Sequence, residues 1–302
     1  MPQTSISSKI INKPHSLGFV SANKQQYSEL FRDALSKNIK SAAQRRGCAV
    51  SAVHENTLDP YAHSLDNLLE GSVCGLIWHG ATRAAIPPTA LVDRRLPIVL
   101  VQPSEPGLLA SVHVAPGPGI AEAVEHLAHL GHREILWLGL ERNGRVRHPR
   151  RREAFWRASS SFEVSGREWF VAGNWPEETQ FVDVRISRYR ALLGEQLLLP
   201  PFTTAVICED DALSVALVQT LSERKIRVPE EVSVIGVDDL QAGGGMPNLS
   251  SVDHMLRELG SRAVDMALRL SSGSPNGLLR EVIPSRLVVR ESTWRCRWTT
   301  EK

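Results

Sequence analysis

The chain reads as an α/β fold built on parallel sheets. Three observations predict it: six short, continuous apolar runs, amphipathic stretches between them, and the alternation of the two along the sequence. A strand covered by helices on both faces is apolar throughout rather than at every second residue, which is the pattern seen. Alternating strands and helices imply βαβ units with right-handed crossovers. At 302 residues with 42% hydrophobic content, the chain can bury one or two substantial cores.

The predicted strands fall at 16–20 (SLGFV), 74–78 (CGLIW), 97–101 (PIVLV), 134–138 (EILWL), 204–208 (TAVIC) and 232–237 (VSVIGV). Helical patterns follow the third, fifth and sixth of these. Ile120, Ala123, Val124, Leu127 and Ala128 make one apolar stripe, and Gly131 supplies the usual C-terminal stop. Leu213, Ala216, Leu217, Thr220 and Leu221 make a second stripe. Leu256, Leu259, Gly260, Ala263, Val264 and Ala267 make a third, in which Gly260 permits close helix packing. There is no internal repeat and no low-complexity tract.

Several function classes are disfavoured. Cys48, Cys74, Cys208 and Cys296 are widely spaced without a CxxC, which suits reduced cytosolic thiols rather than disulfides or zinc. Neither a metal nor a cofactor is implied. The polar leader 1–14 has no apolar core and no small-residue cleavage site, and no run approaches the roughly 20 apolar residues that span a bilayer. The expected location is the cytoplasm. A net charge of +2 argues neither for nor against nucleic acid. A DNA-reading helical head needs on the order of 50 residues, so this chain is expected to lack one. GxSxG, P-loop and HExxH motifs are absent, and GGG at 243–245 follows a late strand, so no enzyme is expected.

Longer blocks carry more information. VPEEVSVIGVDD at 228–239, then PNLSSV and LRELGSRAVDMAL, are preceded by GIAEAVEHLAHLGHREILWLGL and TTAVICEDDALSVAL; SLGFV, CGLIWHG and LPIVLV come earlier still. In order and spacing these resemble the LacI/GalR bacterial transcription regulators, over about residues 16–290. The resemblance implies a type I periplasmic-binding-protein-like fold: two Rossmann-like parallel-sheet subdomains joined by three crossovers. It would place 15–131 with 253–275 in the first subdomain and 132–252 with 276–302 in the second. It further implies an effector-sensing module that binds a sugar or related small molecule between the subdomains. A homodimer would form through the first subdomain, using a helix at about 59–69. DNA would be reached only through a reader segment outside this chain. A solute-binding receptor of a transport system is the alternative, and it predicts an export signal. An enzyme on the same scaffold comes third.

Candidate ligand residues follow from the matching motifs. Asp238 lies just past the carboxyl end of its strand, where open α/β sheets place ligands, and resembles the family aspartate that accepts from ligand hydroxyls. Arg151, in RREAFW, matches a family arginine that can fork onto two oxygens; a solvated helix arginine is the plain alternative. Trp175, in AGNW, matches a cleft aromatic, with a core tryptophan as its alternative. Of Asp210 and Asp211, one is expected to cap the following helix and the other to face the cleft, with capping assigned to Asp211. His254 and Leu256 would line the opposite wall, although His254 could equally face solvent.

The departures from the family pattern point to the ligand's charge. Where the family often has an aspartate, this chain has Val112, His113, Val114, Ala115 and Pro116, and Gln102 replaces another acid. Arg142, Arg145, Arg147, Arg150, Arg151 and Arg152 occupy eleven residues without an acid among them. The cluster is either a solvated basic loop or the basis for an anionic sugar; aromatics for base stacking are too sparse to favour nucleic acid.

Overall fold

A computed structural model describes residues 16–21, 29–54, 73–80, 96–103, 109–173, 182–200, 202–240, 248–273 and 279–298. Along the chain the elements are β1 (Ser16–Ser21), α1 (Glu29–Gln44), β2 (Ala49–His54), β3 (Gly75–His79), β4 (Ile98–Val101) and β5 (Ala110–Ala115). They continue with α2 (Gly117–His129), β6 (Glu134–Arg142), β7 (Arg145–Val146), α3 (Pro149–Ser161), β8 (Ser165–Ala172) and α4 (Val182–Gln196). The last are β9 (Ala205–Cys208), α5 (Asp211–Glu223), β10 (Ser233–Asp238), β11 (Ser250–Asp253), α6 (Leu256–Ser271), β12 (Arg280–Pro284) and β13 (Arg286–Val288).

These form two sheets. The first runs β12-β5-β4-β3-β1-β2 and every pairing in it is parallel. The second runs β13-β11-β10-β9-β6-β7, with β8 also paired to β6, and is parallel except at the short strands β7 and β13. Strand interiors such as Gly75–His79 and Ala205–Cys208 are buried at every position, as the continuous apolar runs require. On the first sheet, Leu35 and Ile39 of α1 meet Leu259 and Ala263 of α6 in one core. Gly260 makes that approach possible, because a Cβ there would stand 3.0 Å from the Ile39 backbone nitrogen.

Three connections among the described residues pass between the sheets: β5 to α2, β11 to α6, and β12 to β13. Two of the expected boundaries move. Helix α2, assigned to the first half, packs on the second sheet, where Ile120, Val124 and Leu127 share a core with Trp137, Phe155 and Ile207. Each such side chain contributes roughly 1.5–3 kcal/mol on burial. Strand β12, assigned to the second half, pairs in parallel with β5 from Arg280 opposite Ser111 to Pro284 opposite Ala115. The physical reason is that an apolar stripe shows that a helix is buried but not against which sheet, and β-pairing partners leave no local signature. The connections therefore fall at Pro116, at His254 and Met255, and at Ser285.

Candidate functional site

The cavity between the sheets collects the carboxyl ends of β4, β5, β10 and β11. It has a volume of about 400 Å³ and is lined by Phe31, Gln102, Val114, Arg147, His148, Arg150, Arg151, Arg185, Asp238 and His254, among others. Open α/β sheets bind ligands at this end of their strands.

Helix α3 delivers the central arginine. It begins at Pro149, whose fixed φ suits the first helical position, and its first turn holds Arg150, Arg151 and Arg152 with no acid. A helix N-terminus already carries roughly half a positive charge, so these side chains add to the local field instead of cancelling it. Arg151 Nη2 donates to Asp238 Oδ1 at 2.6 Å, and Nη1 donates to the Glu209 carbonyl. His254 Nδ1 stands 2.9 Å from the same Asp238 oxygen, and the Phe31 ring meets the His254 ring edge-on. Burial would raise the Asp238 carboxyl, but the Arg151 charge and the His254 contact outweigh it and hold the group ionised, well below the usual carboxylate range. Asp238 has φ +124°, a conformation non-glycine residues rarely adopt, and such strain collects at ligand sites.

A second charge centre lies beside the first. Asp210 is the N-cap of α5: its Oδ1 accepts from the Leu213 amide at 2.8 Å. Its Oδ2 accepts from Arg147 Nη1 and Arg185 Nη2, both at 2.7 Å. The Arg185 guanidinium lies over the Tyr189 ring, 5.6 Å from its centroid. Burial would raise Asp210, yet Arg185 and Arg147 hold it below its ordinary value. Asp211 points away, accepting from Ser251 Oγ at 2.6 Å and the Leu240 amide at 2.9 Å; burial, together with the nearby Asp238, pushes it up to about 7. His148 is held neutral, first by burial and then by Arg151 and Arg147.

Three expected site residues therefore converge: Arg151, Asp238 and His254. His254 is buried rather than solvent-facing. Asp210 joins them through Arg147 and Arg185, and it, not Asp211, is the helix cap, which reverses the assignment made from the sequence. The geometry explains why: the residue before the helix has extended φ and ψ and can turn its carboxylate onto the Leu213 amide, while Asp211 already sits in the helix. Leu256 lies elsewhere. It is buried in the first core and borders a separate groove beside Asp239 and Met255. Trp175 and the expected dimer helix at 59–69 fall outside the described residues. Gln102 accepts from the Val114 amide at 2.9 Å and so braces two strand ends.

The arginine run divides. Arg147, Arg150 and Arg151 line the cavity, Arg145 is exposed, and Arg152 turns back to hold Glu168 through two hydrogen bonds of 2.6 and 2.7 Å. Sequence reasoning missed Arg185, Phe31 and His148. Arg185 comes from α4, far along the chain, and only its i,i+4 spacing to Tyr189 hints at a fixed position. The lining then carries four guanidiniums, from Arg147, Arg150, Arg151 and Arg185, against Asp238 in the lining and Asp210 behind it, an excess of two positive charges. Chemically, the arginines can donate hydrogen bonds to an oxyanion, and Asp238 can accept hydrogen bonds from ligand hydroxyls. Among the described residues no His, Cys, Asp or Glu cluster has a metal-holding arrangement, and no helix is long and apolar enough to cross a membrane.

Comparison with known proteins agrees with this geometry. The family profile of the periplasmic binding protein-like domain matches residues 124–293. The lactose operon repressor of Escherichia coli K12 is 26% identical over 84% of this chain and 69% of its own length. Against other curated relatives, which are also repressors, the chain spans about half their length. A dimeric Lac repressor with a C-terminal deletion superposes with a TM-score of 0.69 at 21% identity, covering 93% of this chain and 99% of that one. A LacI-family regulator of Arthrobacter sp. FB24, solved with lactose, gives 0.68 at 22% identity over 93% and 100%. The chain belongs to the periplasmic binding protein-like domain family, in the form that LacI-type regulators carry as their effector-binding core.

Proposed function

We propose that this domain senses a small polyhydroxylated effector that carries an anionic group, a phosphorylated or acidic sugar, bound in the cavity between the two sheets. The observation that carries this reading is the convergence of Arg147, Arg151 and Arg185 on one cavity that also presents Asp238. Asp238 and His254 would take ligand hydroxyls, Arg151 and the Asp210-held arginines the anion, and Trp175 an apolar sugar face. That solved relatives carry lactose and cellobiose supports a sugar framework. The excess of guanidiniums supports the added charge.

Binding between the halves would favour one relative arrangement of the sheets, and only by its differential affinity for the two, about 1.4 kcal/mol for each tenfold. In a cytoplasmic homodimer, as the dimeric relative suggests, that change would be transmitted to a DNA-reading segment of the full regulator. Calorimetric titration with matched neutral, phosphorylated and uronic sugars tests the reading. The anionic member of a pair is expected to bind about tenfold tighter or better, and Arg151→Ala to abolish most of that preference. A neutral sugar that binds tighter than its anionic partner, unaffected by Arg151→Ala, overturns it.

A further inference from the structure

Glu209 sits between β9 and the N-cap Asp210 and takes no part in the contacts described so far except through its backbone. Its side chain is fully buried, and neither carboxyl oxygen makes a hydrogen bond of acceptable geometry among the described residues. The nearest guanidinium, Arg147 Nη1, stands 3.8 Å from Oε1. Space for the group exists because Gly139 lacks a side chain: a Cβ there would meet the Phe170 ring at 2.7 Å and Glu209 Oε2 at 3.1 Å. A buried carboxyl near arginines yet unsatisfied by them is costly as an anion and also as a neutral acid.

Charge counting gives this group a role. The cluster of Arg147, Arg151 and Arg185 faces Asp210 and Asp238, three positive charges against two negative. With Glu209 protonated these five groups keep one positive charge for an incoming anion, beside that of Arg150 in the lining; with Glu209 ionised they are neutral and only the Arg150 charge is left. We propose that Glu209 is the residue that sets the charge of the cleft, so that its own negative charge and a bound anion exclude each other and anion binding is coupled to proton uptake. This rests on the anionic-ligand reading above.

The surroundings of Glu209 suit that role. Burial raises its carboxyl most and Asp210 adds to the rise, while Arg147, the Leu140 amide and Arg151 oppose it, and the balance leaves the group up at about 8. From β6 it meets Gly139 and Leu140, from β8 Phe170, from the 147–151 segment the two arginines, and from its own strand Cys208, whose thiol burial keeps protonated. Arg185 and Tyr189 of α4 reach it only through Asp210 and Arg147. An anion that engages Arg147 and Arg151 weakens the two attractions that favour the Glu209 anion, and so raises its protonation further.

The probe is inorganic sulfate, which stays doubly charged across the working range and contributes no proton of its own. Its affinity for the native chain and for Glu209→Gln is measured by calorimetry from about pH 6.5 to about pH 9, in buffers of differing ionisation enthalpy. For the native chain, affinity is expected to be flat below about pH 7.5 and to fall by up to about tenfold per unit above about pH 8. Proton uptake per sulfate should rise from near zero toward one over the same range. Glu209→Gln should bind sulfate with a flat profile. Equal slopes in the two proteins, or no slope in either, overturn the proposal while leaving the anion site standing. Failure of the native chain to bind sulfate at any pH overturns the anion site itself, and the proposal with it. Should Glu209→Gln lose its cooperative melt, the native proton count decides: uptake centred near neutrality would assign the linkage to Asp211 or His148 and overturn the proposal.

Discussion

Arg151 and Asp238 form a 2.6 Å ion pair in which the same aspartate oxygen is also 2.9 Å from His254. His254 lies on the connection from β11 to α6, so this one oxygen ties a cleft helix and a strand end to a segment that passes between the sheets. A ligand that competes for Asp238 therefore acts on the junction as well as on the cavity wall.

Arg151→Ala removes the partner of a nearly buried carboxylate and the donor to the Glu209 carbonyl. Side-chain exposures of 11% and 16% place the pair among buried ones, where losing one member costs about 3–5 kcal/mol. Urea unfolding at neutral pH should show that loss, and the deficit should shrink in acid as Asp238 protonates in both proteins. A deficit below about 0.5 kcal/mol would mean that solvent screens the pair.

Much of this arrangement is legible in the sequence, but unevenly. The strands ending at Cys208 and Asp238 announce themselves as continuous apolar runs bounded by acids, so their role as cleft edges can be read directly. Arg151, Asp238 and His254 were reachable because each sits in a motif with a fixed offset from such a strand or helix. Arg185 was not, since its partner Asp210 is 25 residues away and the contact is made by tertiary packing alone. Strands β2, β8 and β12 were missed for a related reason: each is partly exposed or polar at several positions, as in Ser165–Ala172, and lacks the fully apolar run that marks a central strand. The exchange of α2 and β12 between halves is likewise a property of pairing, not of any local pattern.

Asp211 makes a pH-dependent contribution whose sign is opposite to that of Asp238. Its folded-state pKa is raised to about 7, so the folded chain holds a proton that the unfolded chain has released. Stability from this group thus declines as pH rises from about 4 through about 7, and the full penalty is present above that window. Asp211→Asn can donate to Ser251 and still accept from Leu240, keeping both contacts. It should exceed the native chain in stability by about 4 kcal/mol at about pH 8, with the difference vanishing near pH 4. Chemical denaturation at several pH values checks this; a variant weaker at every pH would show that the ionised form is the favoured one.

Gly119 occupies the point where two of the connections between sheets meet. A Cβ there would stand 2.5 Å from Val252 Cγ1, 2.8 Å from Ser285 Oγ and 3.0 Å from the Arg286 amide, and its own N–H donates to Ser285 Oγ. At least the last neighbour is backbone and cannot rotate aside. Gly119→Ala should destabilise by about 1–3 kcal/mol through overpacking. Because the clash lies at the junction rather than in the cavity, it should also change effector affinity without touching a lining residue. Unaltered unfolding and binding in this variant would show that the junction relaxes freely.

Replacing Arg185 tests the proposed anion separately from the sugar framework. The Arg185 guanidinium shares Asp210 Oδ2 with Arg147, so Arg185→Ala leaves Asp210 capping the helix and paired once, and the fold should survive with a modest loss. An anionic ligand would lose one of its charge-assisted donors, whereas a neutral sugar held by Asp238 and His254 would lose none. The expected result is an affinity for a phosphorylated sugar lowered about tenfold, about 1.4 kcal/mol, and steeper in low salt, beside a change of less than about twofold for the neutral analogue. Calorimetry on the pair of ligands at two ionic strengths measures both. If the two ligands weaken equally, Arg185 acts by positioning Asp210 and Arg147, and the charge preference must come from Arg147, Arg150 and Arg151 alone.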